Sequence, residues 1–151
     1  TLLRSPALPD PQADYGQHQF VYSLLPHRGS WEIGTQREAY ALNDPVISYQ
    51  SPLKSSKMIT DQCSLVSVSA PNVLVETVKR AENGNGMILR LYESQRKRGP
   101  VSLRFAFPVE NAWTTNLLEE NETRLKVERD TVSFDIKPYQ IMTLRIEGRK
   151  S

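Results

Sequence analysis

Val101-Ser102-Leu103-Arg104-Phe105-Ala106-Phe107 is the stretch that decides the fold. Val101, Leu103, Phe105 and Phe107 fall on one side of an extended chain, and Ser102, Arg104 and Ala106 on the other. Side chains alternate between faces every residue in a strand, so this pattern predicts a strand with one buried face. The same period runs through Val132, Phe134 and Ile136, and through Met142, Leu144 and Ile146. It also runs through Phe20, Tyr22 and Leu24, and Leu65-Val66-Ser67-Val68 is a shorter candidate.

Turn chemistry separates these runs. Asn83-Gly84-Asn85-Gly86 supplies residues that tolerate positive φ, and predicts a hairpin between strands ending near Ala81 and starting near Met87. Arg98-Gly99-Pro100, Glu120-Asn121-Glu122 and Arg129-Asp130 read as further turns. Val73, Leu74, Thr77, Val78 and Ala81 fit a helical face as well as a strand. The β-branched residues and the glycine turn that follows favour a strand. The proline-rich opening, Ser5 to Ala13, reads as a loop, and Asp44 to Asp61 as a long connection. Short strands at regular spacing predict an all-β fold, an antiparallel β-sandwich or barrel.

A chain of 151 residues suits a single domain spanning 1–151. A domain of this size buries about 68–70% of the surface that its unfolded chain exposes, enough for a core without metal or disulfides. The formal charge of +2 lacks the concentrated basic face that nucleic acid or an anionic membrane needs as partner. No apolar run approaches the ~18 residues of a membrane span. One cysteine, Cys63, cannot form an internal disulfide and suits a cytoplasmic setting. The chain opens Thr1-Leu2-Leu3-Arg4 without Met and reads as a piece of a longer protein.

No phosphate loop, dinucleotide fingerprint or zinc-type Cys/His pair is present in the sequence. His18 and His27 are the two histidines. His18 shares parity with Phe20 and reads as a packed, hydrogen-bonded residue, and His27, beside Pro26, as a turn residue. Cys63 reads as a small packed thiol rather than a nucleophile. Arg96-Lys97-Arg98 reads as a solvated hairpin tip, and Asn121-Glu122-Thr123 matches the short N-glycosylation pattern. Trp31, in Gly29-Ser30-Trp31, is the better placed of the two tryptophans for a contact surface. Asp10 and Asp14 share a loop, where turn roles for Asp are commoner than acid–base work. The residues alone stop at an all-β domain with an unusual polar opening loop.

The opening block carries a resemblance. Leu2-Leu3-Arg4-Ser5-Pro6, Pro9-Asp10-Pro11, Ala13-Asp14, Gly16, His18, Phe20, Tyr22 and Pro26-His27 form one ordered pattern. Ala39-Tyr40-Ala41-Leu42-Asn43 with Pro45, Val75-Glu76-Thr77-Val78-Lys79, Leu89-Arg90-Leu91-Tyr92-Glu93 and Asn116-Leu117-Leu118-Glu119 follow in order. The set resembles the C-terminal part of glycoside hydrolase family 38 α-mannosidases, closest to the cytosolic and vacuolar type. The resemblance implies a parent that hydrolyses terminal α-mannosides with retention at a Zn²⁺ ion. That zinc belongs to an N-terminal catalytic domain whose motifs precede Thr1, so no catalytic or metal residue and no cofactor is assigned here.

The fragment itself is expected to be inactive and to complete and support the catalytic barrel. Its partners would be that barrel and mannose-containing oligosaccharide. Residues 1–18 are expected to form a loop facing the parent active site. In that loop Arg4 is the candidate substrate contact, oriented by Asp10 and Asp14; its five-donor guanidinium suits sugar hydroxyls and equally a loop-holding ion pair. A carbohydrate-binding module using Trp31, and a subunit-contact domain in a homo-oligomer, stay open as alternatives.

Overall fold

The computed structural model describes residues 3–6, 8–32, 34–48 and 63–149. The chain divides into two compact units, Thr1–Gln50 and Ser51–Ser151. Residues 49–61 of the expected long connection lie outside the described residues.

Among the described residues, the first unit has one regular element, helix α1, Thr35–Asn43. Ala39, Leu42 and their neighbours are good helix formers, and the helix enters from Gly34 at φ 81°. It ends where the Asp44 amide donates to the Tyr40 carbonyl, 2.7 Å away. Pro45 follows and disfavours helical geometry at Asp44. The alternating Phe20, Tyr22 and Leu24 do not form the expected strand, because residues 17–27 belong to no sheet. Their pattern is that of a strand; what they lack is a neighbouring strand to pair with.

The second unit is an antiparallel β-sandwich of two sheets. Its strands are β1 Val66–Val68, β2 Val73–Arg80, β3 Met87–Glu93, β4 Gly99–Phe105, β5 Val109–Thr115, β6 Asn121–Arg124, β7 Lys126–Glu128, β8 Thr131–Ile136 and β9 Ile141–Gly148. One sheet runs β1-β4-β8-β7 and the other β2-β3-β9-β5-β6. Every pairing is antiparallel.

The core follows from the alternation. Val101 and Leu103 of β4 sit beside Phe134 and Val132 of β8 in register, and Phe105 beside Val66 of β1. Leu89 and Leu91 of β3 face Leu144 and Met142 of β9. These residues, with Val73, Ala112 and Ile146, form one cluster between the sheets. The outer face of the four-stranded sheet is polar, with Ser102 and Ser133 hydroxyls 3.1 Å apart and Arg104 on Asp130 at 3.0 Å.

Three expectations shift by a few residues for identifiable reasons. The strand from Val101 starts earlier, at Gly99, so Pro100 lies inside β4. β1 pairs only with residues 103–105 of β4, so the missing N–H of Pro100 costs no ladder bond on that side. The strand also stops at Phe105, and Phe107 packs on the core from the following bend, its ring tilted 5.5 Å from that of Phe105. The turn expected at Glu120-Asn121-Glu122 lies earlier, and Asn121 and Glu122 belong to β6. The Asn116 side chain closes that turn, accepting from the amides of Leu118 (2.9 Å) and Glu120 (3.0 Å).

The ambiguous segment is β2, and its ambiguity has a cause. Val75 pairs with Leu91 but Thr77 with Arg90, so Glu76 is an extra residue in a bulge. The bulge resets the parity and puts Val78 opposite Leu89. Apolar positions therefore fall at 73, 75 and 78, a spacing that imitates a helix.

The glycine hairpin joins β2 to β3 as its sequence predicts. Gly86 has φ 86°, and a Cβ there would lie 2.6 Å from the Ile146 carbonyl oxygen. Both constraints select glycine. Gly86→Ala is expected to destabilise the chain by more than ~1 kcal/mol. Leu144→Ala, which empties a fully buried site, is expected to cost about 2–5 kcal/mol. Denaturant midpoints for the two variants check both figures.

Candidate functional site

In the first unit the candidate residues are spread along an exposed loop. Asp10 accepts the Gln12 amide on its Oδ1 at 2.9 Å, and the Ala13 amide on its carbonyl at 3.2 Å. Asp14 has φ 59°, and its carbonyl is 2.7 Å from Nε2 of His18. Both aspartates therefore shape turns, the local use that short polar side chains favour. Arg4 is exposed, and among the described residues no ion pair joins it to Asp10 or Asp14. His18 is hydrogen-bonded as expected but not packed in a core; it is exposed and stacks on Phe20 with centroids 6.1 Å apart. His27 is exposed beside a bend. Trp31 is about half exposed. Cys63 is exposed rather than packed, since it precedes β1 instead of lying in a strand.

Among the described residues no group of three or more His, Cys, Asp or Glu side chains is placed to hold a metal ion. The donor sets around His18 and Asp14 do not fit a zinc site, which needs three or four converging ligands. The tip Arg96-Lys97-Arg98 is exposed, and the Asn121-Glu122-Thr123 pattern lies on exposed β6.

The strongest polar constellations belong to the sandwich. Glu93 ends β3 in phase with Leu89 and Leu91 and is 1% exposed. Its Oε1 accepts from Asn72 Nδ2 and from the Gln95 amide, each at 2.8 Å, and its Oε2 accepts the Tyr139 amide at 2.9 Å. Burial opposes the charge, but the hydrogen bond from Asn72 and those from backbone amides outweigh it, lowering the carboxyl pKa to about 2. One carboxylate thus fastens three connections: the turn before β2, the turn after β3 and the β8–β9 turn.

Arg145 of β9 is the second hub. It is 5% exposed, although it points away from the core between Leu144 and Ile146. Its Nη1 donates to Asn83 Oδ1 (2.9 Å) and the Asn85 carbonyl (3.1 Å), both in the glycine hairpin. Its Nη2 donates to the Glu119 carbonyl (2.6 Å) in the β5–β6 turn. The Glu119 carboxylate lies 4.0 Å from Arg145, 2.9 Å from Lys79, and accepts the Glu82 amide at 2.8 Å. That amide first, and then Lys79, hold the Glu119 carboxyl below its ordinary range. Glu147 extends the network, accepting from Asn85 (2.7 Å) and Asn111 (3.2 Å).

A glycosidase acid needs its pKa raised so that it holds a proton near neutrality. Glu93 and Glu119 are shifted the opposite way and are consumed by structural donors. Both hubs are clamps, and the polar cleft of about 370 Å³ beside Arg145 is lined by the same clamp residues. Neither hub stands out as a motif. Glu93 carries a signal, a carboxylate at an inward strand position after Leu-Arg-Leu. Arg145 carries none, because it looks like any outward residue until the turns close over it.

Residues 72–144 match the family described as glycosyl hydrolases family 38 C-terminal beta sandwich domain. The sandwich belongs to that family. Alpha-mannosidase 2C1 of Homo sapiens is 35% identical over 150 residues, 95% of this chain and 14% of its own length. Alpha-mannosidase G of Dictyostelium discoideum is 31% identical over 96% of the chain and 14% of its own length. Alpha-mannosidase of Saccharomyces cerevisiae is 25% identical over 97% of the chain and 15% of its own length. The chain thus spans about one seventh of the curated relatives it matches. No helix among the described residues is long and apolar enough to cross a membrane.

Acid titration tests the Glu93 clamp of this family 38 sandwich. The folded pKa lies below the ordinary 4.5, so the stabilisation is complete above pH ~4.5 and is lost as pH falls toward about 2. Glu93→Gln turns one acceptor into a donor facing an amide and is expected to cost roughly 1–3 kcal/mol at neutral pH. Its stability should also fall less steeply between pH 4.5 and 2 than that of the parent chain. Urea unfolding across that range reads both effects, and an unchanged acid limb would show that Glu93 is not the clamp.

Proposed function

We propose that this chain is a non-catalytic part of a zinc-dependent, retaining α-mannosidase, and that its job is to complete the enzyme's fold and support the catalytic portion. The observation carrying this reading is family membership joined to clamped carboxylates: the ionisable groups with the strongest partners all serve the sandwich. Relatives called alpha-mannosidases, far longer than this chain, support that reading of the parent, and the proposed substrate class is terminal α-mannosides of glycans. Zinc would sit in the preceding catalytic portion. Exposed Cys63, the single thiol, suits a parent that works in the cytoplasm.

Residues 1–18 are proposed to face the active site of that parent, with Arg4 donating to sugar hydroxyls. Arg4 is exposed on a loop whose turns are set by Asp10 and Asp14, which leaves its guanidinium available. In the full-length enzyme Arg4→Ala is expected to lower kcat/KM at least tenfold on an α-mannoside with the fold intact. Wild-type kcat and KM would remove Arg4 from the site.

The isolated chain is expected to hydrolyse no chromogenic α-mannoside. Calorimetric titration with mannose oligosaccharides is expected to give no saturable heat. Saturable binding would instead make it a carbohydrate-binding module.

A further inference from the structure

Residues 17–25, Gln-His-Gln-Phe-Val-Tyr-Ser-Leu-Leu, form an uncharged stretch without glycine or proline, bounded by Gly16 and Pro26. It has strand alternation yet belongs to no sheet. Its apolar residues are open: Val21 is 79% exposed, Tyr22 80% and Leu24 89%. His18 stacks on Phe20, as residues two apart do on one side of an extended chain.

We propose that residues 17–25 are a strand-addition segment, which pairs with a sheet of the preceding, catalytic portion of the parent polypeptide. This rests on the proposed role above and names the contact through which that role is performed. Both faces of the segment carry apolar residues, as in a strand buried on both sides. Exposed edge strands are normally protected by charge, proline or shortness. The four sandwich edges follow that rule: β2 carries Glu76, Lys79 and Arg80 and is bulged at Glu76, β6 carries Glu122 and Arg124, β7 carries Lys126 and Glu128, and β1 is three residues long. Residues 17–25 break it, so they are built to be covered. The blunted sandwich edges of a second copy are poor acceptors. The preceding chain is the fitting one, because the sandwich is a C-terminal domain and its relatives are about seven times longer.

Backbone hydrogen bonding supplies affinity in such an addition, and pockets for alternate side chains supply register. Residue-resolved amide exchange on the full-length enzyme and on the isolated chain tests it. At least four amides within residues 19–25 are expected to exchange over a hundredfold more slowly in the full-length enzyme than in the isolated chain. The same slowing in an enzyme inactive on α-mannosides would keep the strand and remove the mannosidase reading. Fast exchange throughout the segment in an active, folded full-length enzyme would overturn the strand and keep that reading. Protection that appears only with dimer formation, rising with concentration in the isolated chain, would place a second copy there and overturn the proposal.

Discussion

The hydrogen bonds of Arg145 hold the outer side of the five-stranded sheet together. The residue sits on β9, the central strand, whose inward neighbours Leu144 and Ile146 fill the core. On the other face its guanidinium gathers the glycine hairpin and the β5–β6 turn. A planar fork of five donors can satisfy several carbonyls at once, which an ammonium does with less geometric control. With Glu119 beneath it, the arginine stays buried as a paired, hydrogen-bonded charge. Glu93 does the equivalent work at the other end of β3 with backbone amides as donors. The sandwich is therefore pinned at both ends by one charged side chain each, with an apolar layer between.

Much of this fold is legible in the sequence where one strand face is buried and the other wet. Val101–Phe105, Val132–Ile136 and Met142–Ile146 announce their inward residues directly, and Asn83–Gly86 announces its hairpin. The alternation becomes harder to read where a local device interrupts it. The bulge at Glu76 resets parity inside β2, and the side chain of Asn116 moves a turn that composition places later. Helix α1 is short and buries no residue, so it leaves no periodic signature. Alternation also says nothing of partners: Phe20, Tyr22 and Leu24 read as a strand because their side chains alternate, while pairing depends on residues elsewhere.

The candidate site divides in the same way. Arg4, Asp10 and Asp14 stand out by their order in a family-like block, and two of them turn out to shape the loop that displays the first. The residues with the strongest electrostatic roles, Glu93 and Arg145, belong to no catalytic or binding motif, although Glu93 ends one of the family-like blocks; their importance arises from burial by turns distant in sequence. The two units differ accordingly. The sandwich closes its own core, whereas the first unit leaves most of its large apolar residues open to solvent. That contrast is the physical observation behind the proposed supporting role.

Reconstitution tests that account most directly. The 151-residue chain and the proposed preceding catalytic portion of the parent would be expressed as separate polypeptides, mixed, and followed by sedimentation and thermal unfolding. The account predicts a one-to-one complex, a higher Tm for the catalytic portion and α-mannosidase activity that rises on mixing. No association, with a catalytic portion equally stable and fully active alone, would contradict it.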